Sequence, residues 1–322
     1  MVAQLSQSTL LAWYAESKRD LPWRHTSDGW QILLSEILLQ QTQVSRGIGY
    51  WLKLVERFPT PQSMAEAEVD EVLFLWQGAG YYSRARRLHA LARQVCLPSS
   101  EGGYDGVLPT TSAHLLQLPG IGPYTAAAVA SIAYGEPVAC IDGNIRRVMA
   151  RQAKSANPSV KEVEQWANRN LFHSDAGDWN QALMELGATV CTPKQPKCDG
   201  CPIAPSCSGQ LDATAYPEPK KIKRKRLDLM CELRYDSSGL PFLVQRGEDG
   251  ILAGLWGPHM AEELDVESLI FIGEVKHVLS HRDIFVQVWL GICRQGMDPS
   301  TVAVSALDRK ILALGDRQGN RS

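Results

Sequence analysis

Apolar side chains recur about every 3.6 positions from Trp30 through Glu36–Tyr50, and again in Glu68–Trp76, Ser83–Val95, Thr125–Tyr134 and Val160–Leu171. That period puts them on one face of a helix, so the chain up to about residue 210 reads as helix after helix, with short Pro, Gly and Asp breaks between. After residue 227 the texture changes. Met230–Tyr235, Pro241–Gln245 and Ile284–Ile292 alternate over short runs and predict strands, with one helix expected at Ala261–Leu269. The pattern predicts a mainly α chain, an all-α domain followed by a small α+β domain. Between them, the prolines of residues 216–221 disfavour helix in their predecessors and predict an extended linker. No internal repeat is visible.

Composition narrows the class. At 322 residues, 44% hydrophobic and 21% charged, the chain is long enough for about two domains and apolar enough to bury a sizeable core, which excludes a mostly disordered or collagen-like protein. No apolar run approaches the roughly 20 residues of a bilayer span, and the N-terminus lacks a signal-peptide layout, so an intracellular, cytoplasmic address is expected. Eight cysteines in such a compartment point to thiols or metal ligands rather than disulfides.

The net charge of −2 argues on its face against a nucleic-acid partner, but it conceals an asymmetry. Residues 1–226 carry 24 basic and 21 acidic side chains, whereas residues 227–322 carry 9 and 14. The cations gather in two places: Arg84, Arg86, Arg87 and Arg93, within a stretch free of acidic residues, and the run Lys220, Lys221, Lys223, Arg224, Lys225, Arg226. A charge run of this kind is either a solvated face or linker, or a phosphate-binding surface.

Three motifs carry chemistry. Cys191, Cys198, Cys201 and Cys207 form C-x6-C-x2-C-x5-C, four soft donors close enough to hold either Zn²⁺ or an iron–sulfur cube. Zinc ribbons use two C-x2-C knuckles, and here there is one. Cys96, Cys140, Cys231 and Cys293 lie in apolar contexts and are expected to be buried, unreactive thiols. Leu118-Pro119-Gly120-Ile121-Gly122-Pro123-Tyr124-Thr125 pairs two glycines with a helix-initiating proline, a turn that can offer backbone N–H groups to an anion. Asp142, in Cys140-Ile141-Asp142-Gly143-Asn144-Ile145-Arg146-Arg147-Val148, is by itself a helix cap or turn residue.

Taken together, these motifs resemble the helix–hairpin–helix superfamily of DNA glycosylases that includes endonuclease III and MutY. The cysteine spacing is similar to that family's 4Fe–4S loop, the hairpin to its helix–hairpin–helix motif, and Asp142 to its catalytic aspartate. The resemblance covers residues 10–215. Leu21-Pro22-Trp23-Arg24, Ser35–Val44, Leu75–Arg86 and Gln181–Gly187 narrow it to the MutY-like, adenine-excising branch. Tyr124 stands where the lyase members carry a nucleophilic lysine, and Glu36 is a residue those members lack, so a monofunctional glycosylase is implied.

The resemblance implies a division of labour. Glu36, expected on a Ser35–Tyr50 helix in an apolar stretch that raises its pKa, protonates adenine N7 and later activates water. Asp142 stabilises the oxocarbenium ion or forms a transient glycosyl ester, with Tyr124 and Asn144 around it. Trp23, Arg24, Gln41 and Glu185 line the base pocket or its entrance. Tyr81 is inserted beside 8-oxoguanine, with Gln41 as a second wedge. Gly120 and Gly122 of the hairpin, and Arg84, Arg86 and Arg87, meet phosphates. Lys194 and Lys197 do so from the cluster loop.

The domains implied are a catalytic domain over residues 1–212 (a six-helix barrel at about 22–132, a cluster subdomain of 1–21 plus 133–212), a linker over 213–227 and a Nudix-like recognition domain over 228–322. In the last, Gly254-Leu255-Trp256 and His277-Val278-Leu279-Ser280-His281 resemble elements that read 8-oxoguanine, with Ser280 and His281 on the lesion and Leu279 replacing the usual Phe. The chain lacks the Glu-rich R-E-x2-E-E half of a Nudix hydrolase, which excludes nucleotide hydrolysis by this domain. The implied partner is duplex DNA holding 8-oxoguanine:adenine or guanine:adenine mispairs, bound by a monomer. Two alternatives are an endonuclease III-type lyase for oxidised pyrimidines and a non-enzymatic iron–sulfur DNA-binding protein.

Overall fold

In the computed structural model, which describes residues 5–219 and 223–319, helices dominate the first two thirds of the chain. They are α1 (Gln7–Ser17), α2 (Gly29–Leu38), α3 (Val44–Arg57), α4 (Pro61–Ala65), α5 (Val69–Leu75), α6 (Ser83–Cys96), α7 (Ser112–Leu115), α8 (Pro123–Tyr134), α9 (Gly143–Gln152), α10 (Val160–Asn170) and α11 (Ala176–Thr189). Local chemistry starts many of them. Asp28 accepts the Gln31 N–H ahead of α2, Thr60 and Ser63 close a capping box at α4, and Ser159 and Glu162 close another at α10.

The chain packs as two compact units. One comprises residues 5–66 and 87–219. In it α2 buries Leu33, Leu34 and Leu38 completely, each contributing on the order of 1.5–3 kcal/mol. A further core joins α1, α8, α9, α10 and α11 around Leu10, Tyr14, Ile145, Trp166, Trp179 and Leu183. The continuous helix expected from Trp30 to Tyr50 is instead broken between Leu38 and Val44, where Gln41 takes a left-handed backbone with φ 63°. Polar Gln40–Gln43 has no apolar face to bury, so the chain leaves the helix there and turns to begin α3.

The second unit comprises residues 67–86 and 223–319. Its strands are β1 (Lys225–Tyr235), β2 (Val244–Gln245), β3 (Trp256–Gly257), β4 (His259–Ala261), β5 (Ile270–Val278) and β6 (Arg282–Ile292), followed by α12 (Ala306–Gly319). The sheet runs β4-β1-β6-β5; β1 and β6 are parallel from Lys225↔Arg282 to Tyr235↔Ile292, and β5 and β6 form an antiparallel hairpin. Alternate residues Cys231, Leu233, Ile284, Val286 and Val288 face inward against Leu307 and Ile311 of α12. β2 and β3 pair separately. Residues 67–86 are tied to this unit by several hydrogen bonds, among them Gln245 Nε2 to Asp70 at 2.8 Å, Val304 N to Gln77 Oε1 at 3.3 Å, and Arg86 to the Ala253 carbonyl.

Two expectations are corrected here. Ala261–Leu269 is not a helix: it leaves β4 and reaches β5 through exposed turns, because Leu264, Val266 and Leu269 do not fall on one helical face. The helix of this unit is α12, announced by Ser305-Ala306-Leu307-Asp308, in which Ser305 and Asp308 cap each other's backbone N–H at 3.2 and 3.0 Å. The basic run is also partly redirected. Lys220 and Lys221 lie outside the described residues, while Lys225 and Arg226 open β1, where Arg226 pairs with Asp228 at 2.7 Å and stacks over Phe285. No described helix is long and apolar enough to cross a membrane.

Candidate active site

The first unit holds a cleft of about 1210 Å³ whose walls include Glu36, Tyr124, Asp142, Asn144, Trp23, Arg24, Gln41 and Glu185. All the residues expected at the base pocket and the reacting centre thus meet in one place, brought from α2, the 39–43 break, α8, α9, α11 and the segment before α2.

Glu36 and Tyr124 meet there directly. Glu36 comes from the last turn of α2 and Tyr124 from the first turn of α8, and the phenol donates to Glu36 Oε2 at 2.6 Å. Met184 Sδ lies 3.2 Å from the same phenol oxygen, a weaker acceptor for its single proton. Burial pushes the Glu36 carboxyl up to about 7; the Tyr124 hydrogen bond opposes this and the charge of Asp142 adds to it. Burial, with Glu36 next, holds the Tyr124 hydroxyl well above its ordinary value, so it remains a donor.

Asp142 caps α9. Its Oδ1 accepts the Ile145 N–H at 2.7 Å and its Oδ2 accepts Asn144 Nδ2 at 2.6 Å. The helix-cap expectation holds, and capping leaves the Asp142 carboxyl on the wall of the cleft. Burial raises its pKa, against the pull of the Ile145 and Asn144 donors and of Arg147. Gly187 of α11 lies flat against this turn; a Cβ there would stand 2.5 Å from Asn144 Cβ.

Glu185 is 1% exposed and fully engaged. Arg19 clamps it with Nε to Oε1 at 2.7 Å and Nη2 to Oε2 at 2.8 Å, and Arg24 Nη2 reaches Oε2 at 2.8 Å. Burial works to raise the Glu185 carboxyl, and the two arginines more than reverse it, leaving it below the ordinary range. Glu185 therefore fixes two guanidinium groups on the pocket wall, and Arg19 joins the site unannounced by any motif. Trp23 completes this wall, edge-on to Trp51 with ring centroids 6.0 Å apart.

The four cluster cysteines line a single small cavity together with Arg151, Ile203 and Lys197. Arg151, 2% exposed, donates to Cys191 Sγ at 3.3 Å and to the carbonyls of Thr192, Pro193 and Tyr216. Arg147 connects this loop to the catalytic turn, with Nη2 on Asn144 Oδ1 at 2.8 Å and Nε on the Cys191 carbonyl at 2.8 Å. Neither arginine was singled out by spacing. Among the described residues no group of three His, Cys, Asp or Glu side chains could hold a metal ion. Of the other cysteines, Cys140 and Cys231 are buried, whereas Cys96 and Cys293 are partly exposed.

At the hairpin, Gly120 has φ 77° and would drive a Cβ to 2.8 Å from Arg87 Cβ, while Gly122 is the N-cap of α8. Exposed Arg87 therefore sits beside this turn. Arg84 and Arg86 are placed otherwise than expected. Arg84 is 8% exposed, lies over the Trp76 and Tyr81 rings and donates to the Gly80 carbonyl at 3.0 Å; Arg86 is spent on the carbonyls of Ala253 and Glu248. Both brace protein turns through these carbonyls.

In the second unit the structure joins two residues 199 positions apart: Tyr81 Oη lies 2.5 Å from Ser280 Oγ. Tyr81 is 41% exposed with φ 48°, a left-handed backbone at a bulky residue, and costs of order 1–3 kcal/mol. Ser280 and His281 occupy the tight β5–β6 turn with Ser280 Oγ 3.3 Å from His281 Nδ1, whereas His277 and Val278, expected in the loop, belong to strand β5.

This is the architecture of a helix–hairpin–helix base-excision glycosylase, and residues 34–171 match the family described as HhH-GPD superfamily base excision DNA repair protein. A thermostable thymine-DNA glycosylase superposes with a TM-score of 0.58 at 31% identity, over 64% of this chain and 94% of that one. The adenine DNA glycosylase of Homo sapiens is 35% identical over 92% of this chain and 68% of its own length. That of Mycolicibacterium smegmatis (strain ATCC 700084 / mc(2)155) is 45% identical over 62% of this chain and 68% of its own. The chain belongs to the adenine DNA glycosylase family.

Proposed function

We propose that this protein hydrolyses the N-glycosidic bond of adenine mispaired with 8-oxoguanine or guanine in duplex DNA. The observation that carries the reading is Glu36, a carboxyl raised to about 7 in a cleft it shares with a capped Asp142. Two carboxyl groups with separate tasks are what an oxocarbenium-like transition state requires. Glu36, about half protonated near neutral pH, gives its proton to the flipped adenine and weakens the bond to the sugar. Asp142, its carboxyl oriented by the Ile145 and Asn144 donors, faces the positive charge that develops on the sugar ring. Glu36, now a carboxylate steadied by Tyr124, then takes a proton from the attacking water. Tyr124 offers no amine, so no Schiff base forms and the strand stays intact.

Flipping the base costs a few kcal/mol of stacking, which Tyr81 and Gln41 offset by filling the vacated space. Tyr81 and Ser280, hydrogen-bonded to one another, are placed to read the base opposite, with His281 beside them. Phosphate contacts fall to Arg87, the Gly120–Gly122 turn, Lys194 and Lys197. The catalytic part is then the unit of residues 5–66 and 87–219 and the recognition part that of residues 67–86 and 223–319, and the protein acts as a monomer.

Cys191, Cys198, Cys201 and Cys207 suit a 4Fe–4S cluster, since a polynuclear centre takes one thiolate per iron around a shared space and N–H···S contacts such as that of Arg151 tune it. When bound, the cluster supplies a rigid cross-link for the 191–207 loop.

The test is excision under single-turnover conditions on a duplex with adenine opposite 8-oxoguanine. Abasic product that breaks only after alkali is expected. Strand cleavage without alkali, trapped by borohydride, would instead favour the lyase, and DNA binding without excision the non-enzymatic reading.

A further inference from the structure

Asn180 is 1% exposed on α11 and does not itself line the cleft, yet it holds three elements together. Its Oδ1 accepts the Cys140 N–H at 3.2 Å, and its Nδ2 donates to the Val138 carbonyl at 2.9 Å. Those two residues are the extended run that delivers Asp142 to the start of α9. The same Nδ2 donates to Ser131 Oγ at 2.9 Å, and the Ser131 hydroxyl in turn donates to the Ala127 carbonyl at 2.7 Å. Ser131 is two turns along α8 from Tyr124, the residue that grips Glu36. One turn before Asn180, Gly177 lets α11 lie directly on α8, because a Cβ there would meet the Ser131 carbonyl oxygen at 2.8 Å.

We propose that Asn180 is a positioning residue for excision: through Cys140 and Val138 on one side and Ser131 on the other, it sets the placement of Asp142 relative to the Glu36–Tyr124 pair. The inference rests on the adenine-excision reading above. The two halves of the catalytic pair come from different helices, and the Asn180 side-chain amide hydrogen-bonds both the α8 helix and the Asp142 lead-in. A buried amide with its donors and acceptor all used fixes geometry more tightly than apolar packing, since any slippage leaves polar atoms unpaired. Asp142 also contributes to raising Glu36, so a shift of Asp142 away from the pair relaxes the Glu36 carboxyl downward.

The test compares Asn180→Ala with Asn170→Ala. Asn170 is an equally buried amide of the same unit, tied to Leu5 and Trp166 rather than to the Asp142 segment. Each full-length protein is titrated for active sites, then assayed in single turnover on an 8-oxoguanine:adenine duplex from pH 5.5 to 9, roughly spanning the Glu36 limb. Affinity is measured on the same duplex carrying a 2′-fluorinated deoxyadenosine that resists cleavage. Asn180→Ala should lower the rate per active site by about ten- to a hundredfold, the scale of a small misplacement of reacting groups. Its affinity should stay within about threefold, and the alkaline limb of its profile should move to lower pH. Asn170→Ala should lose stability alone.

An Asn180→Ala enzyme with reduced active fraction but wild-type rate per site and an unmoved limb overturns the proposal. If Asn180→Ala does not fold, Ser131→Ala decides: a several-fold slower rate per site at unchanged affinity supports the role, and an unchanged rate removes it. Absence of excision by the wild-type protein would sink the adenine reading itself, a different result.

Discussion

The Tyr124 hydroxyl stands 2.6 Å from Glu36 Oε2 and keeps its own proton, so it stabilises the ionised form of a carboxyl that burial drives the other way. Excision that needs a protonated Glu36 should therefore slow as pH rises through about 7. Replacing the donor, Tyr124→Phe, removes the one interaction that lowers this pKa, so its alkaline limb should lie at higher pH than the wild type's. Single-turnover rates across pH would show it, and a limb that stays put would mean that another acid limits the reaction.

The same burial has a cost in stability. A carboxyl raised from 4.5 to about 7 on folding contributes stability that is fully present below the unfolded value and lost as pH rises through the folded one. Glu36→Gln cannot ionise and escapes this loss. It should abolish excision yet melt a few degrees higher than wild type at pH 8.5, with the gap closing toward pH 4.5. Melting curves at the two pH values test the sign.

Gly187 is a position where one methyl group should matter. The added Cβ of Gly187→Ala would stand 2.5 Å from Asn144 Cβ and 3.1 Å from its Cα, forcing back the turn that presents Asp142. Overpacking of this kind costs about 1–3 kcal/mol, and the excision rate should fall by about tenfold or more as Asn144 shifts off Asp142 Oδ2. Thermal melting and single-turnover rates separate the two effects.

For the cysteine loop, purified protein should contain about four iron and four sulfide per chain and show the visible absorption of an iron–sulfur cluster. Arg151→Met, which removes the N–H···S contact and three carbonyl bonds, should lower iron occupancy. Stoichiometric zinc without sulfide would overturn the assignment.

Tyr81 and Ser280 should act as a unit on the base opposite adenine. Ser280→Ala and Tyr81→Phe each break their shared hydrogen bond, and each should lower the preference for 8-oxoguanine:adenine over guanine:adenine. The double variant should be little worse than either alone; fully additive losses would show that the two residues work separately.

What could be read from the chain depended on how local the signal was. The cysteine spacing, the hairpin glycines and Asp142 are short motifs whose chemistry needs their neighbours in sequence, and each was legible together with the helical texture. Arg19 was not, because its meaning lies in Glu185, 166 residues away. Arg84 was misread because an arginine in a basic helix looks like surface until its guanidinium is found spanning two aromatic rings. The α2–α3 break hid for another reason. Gln40–Gln43 contains no Gly or Pro, and the break there, with its left-handed turn at Gln41, follows from a polar stretch that carries no conventional breaker. The C-terminal helix carries a local signal, its Ser305–Asp308 box, whereas Ala261–Leu269 has no cap and no single apolar face.

Arg84 also bears on time. Its clamp on the carbonyl of Gly80 and on the ring of Tyr81 builds the outward, left-handed pose of that tyrosine into the folded chain. A tyrosine set in advance need not be ordered at each encounter, so on the proposed reading inspecting a base pair requires neither loop folding nor the delay it brings. A repair protein that must question very many sound pairs for each damaged one gains most from short stops, and on that reading Arg84 secures the short stop from inside the fold.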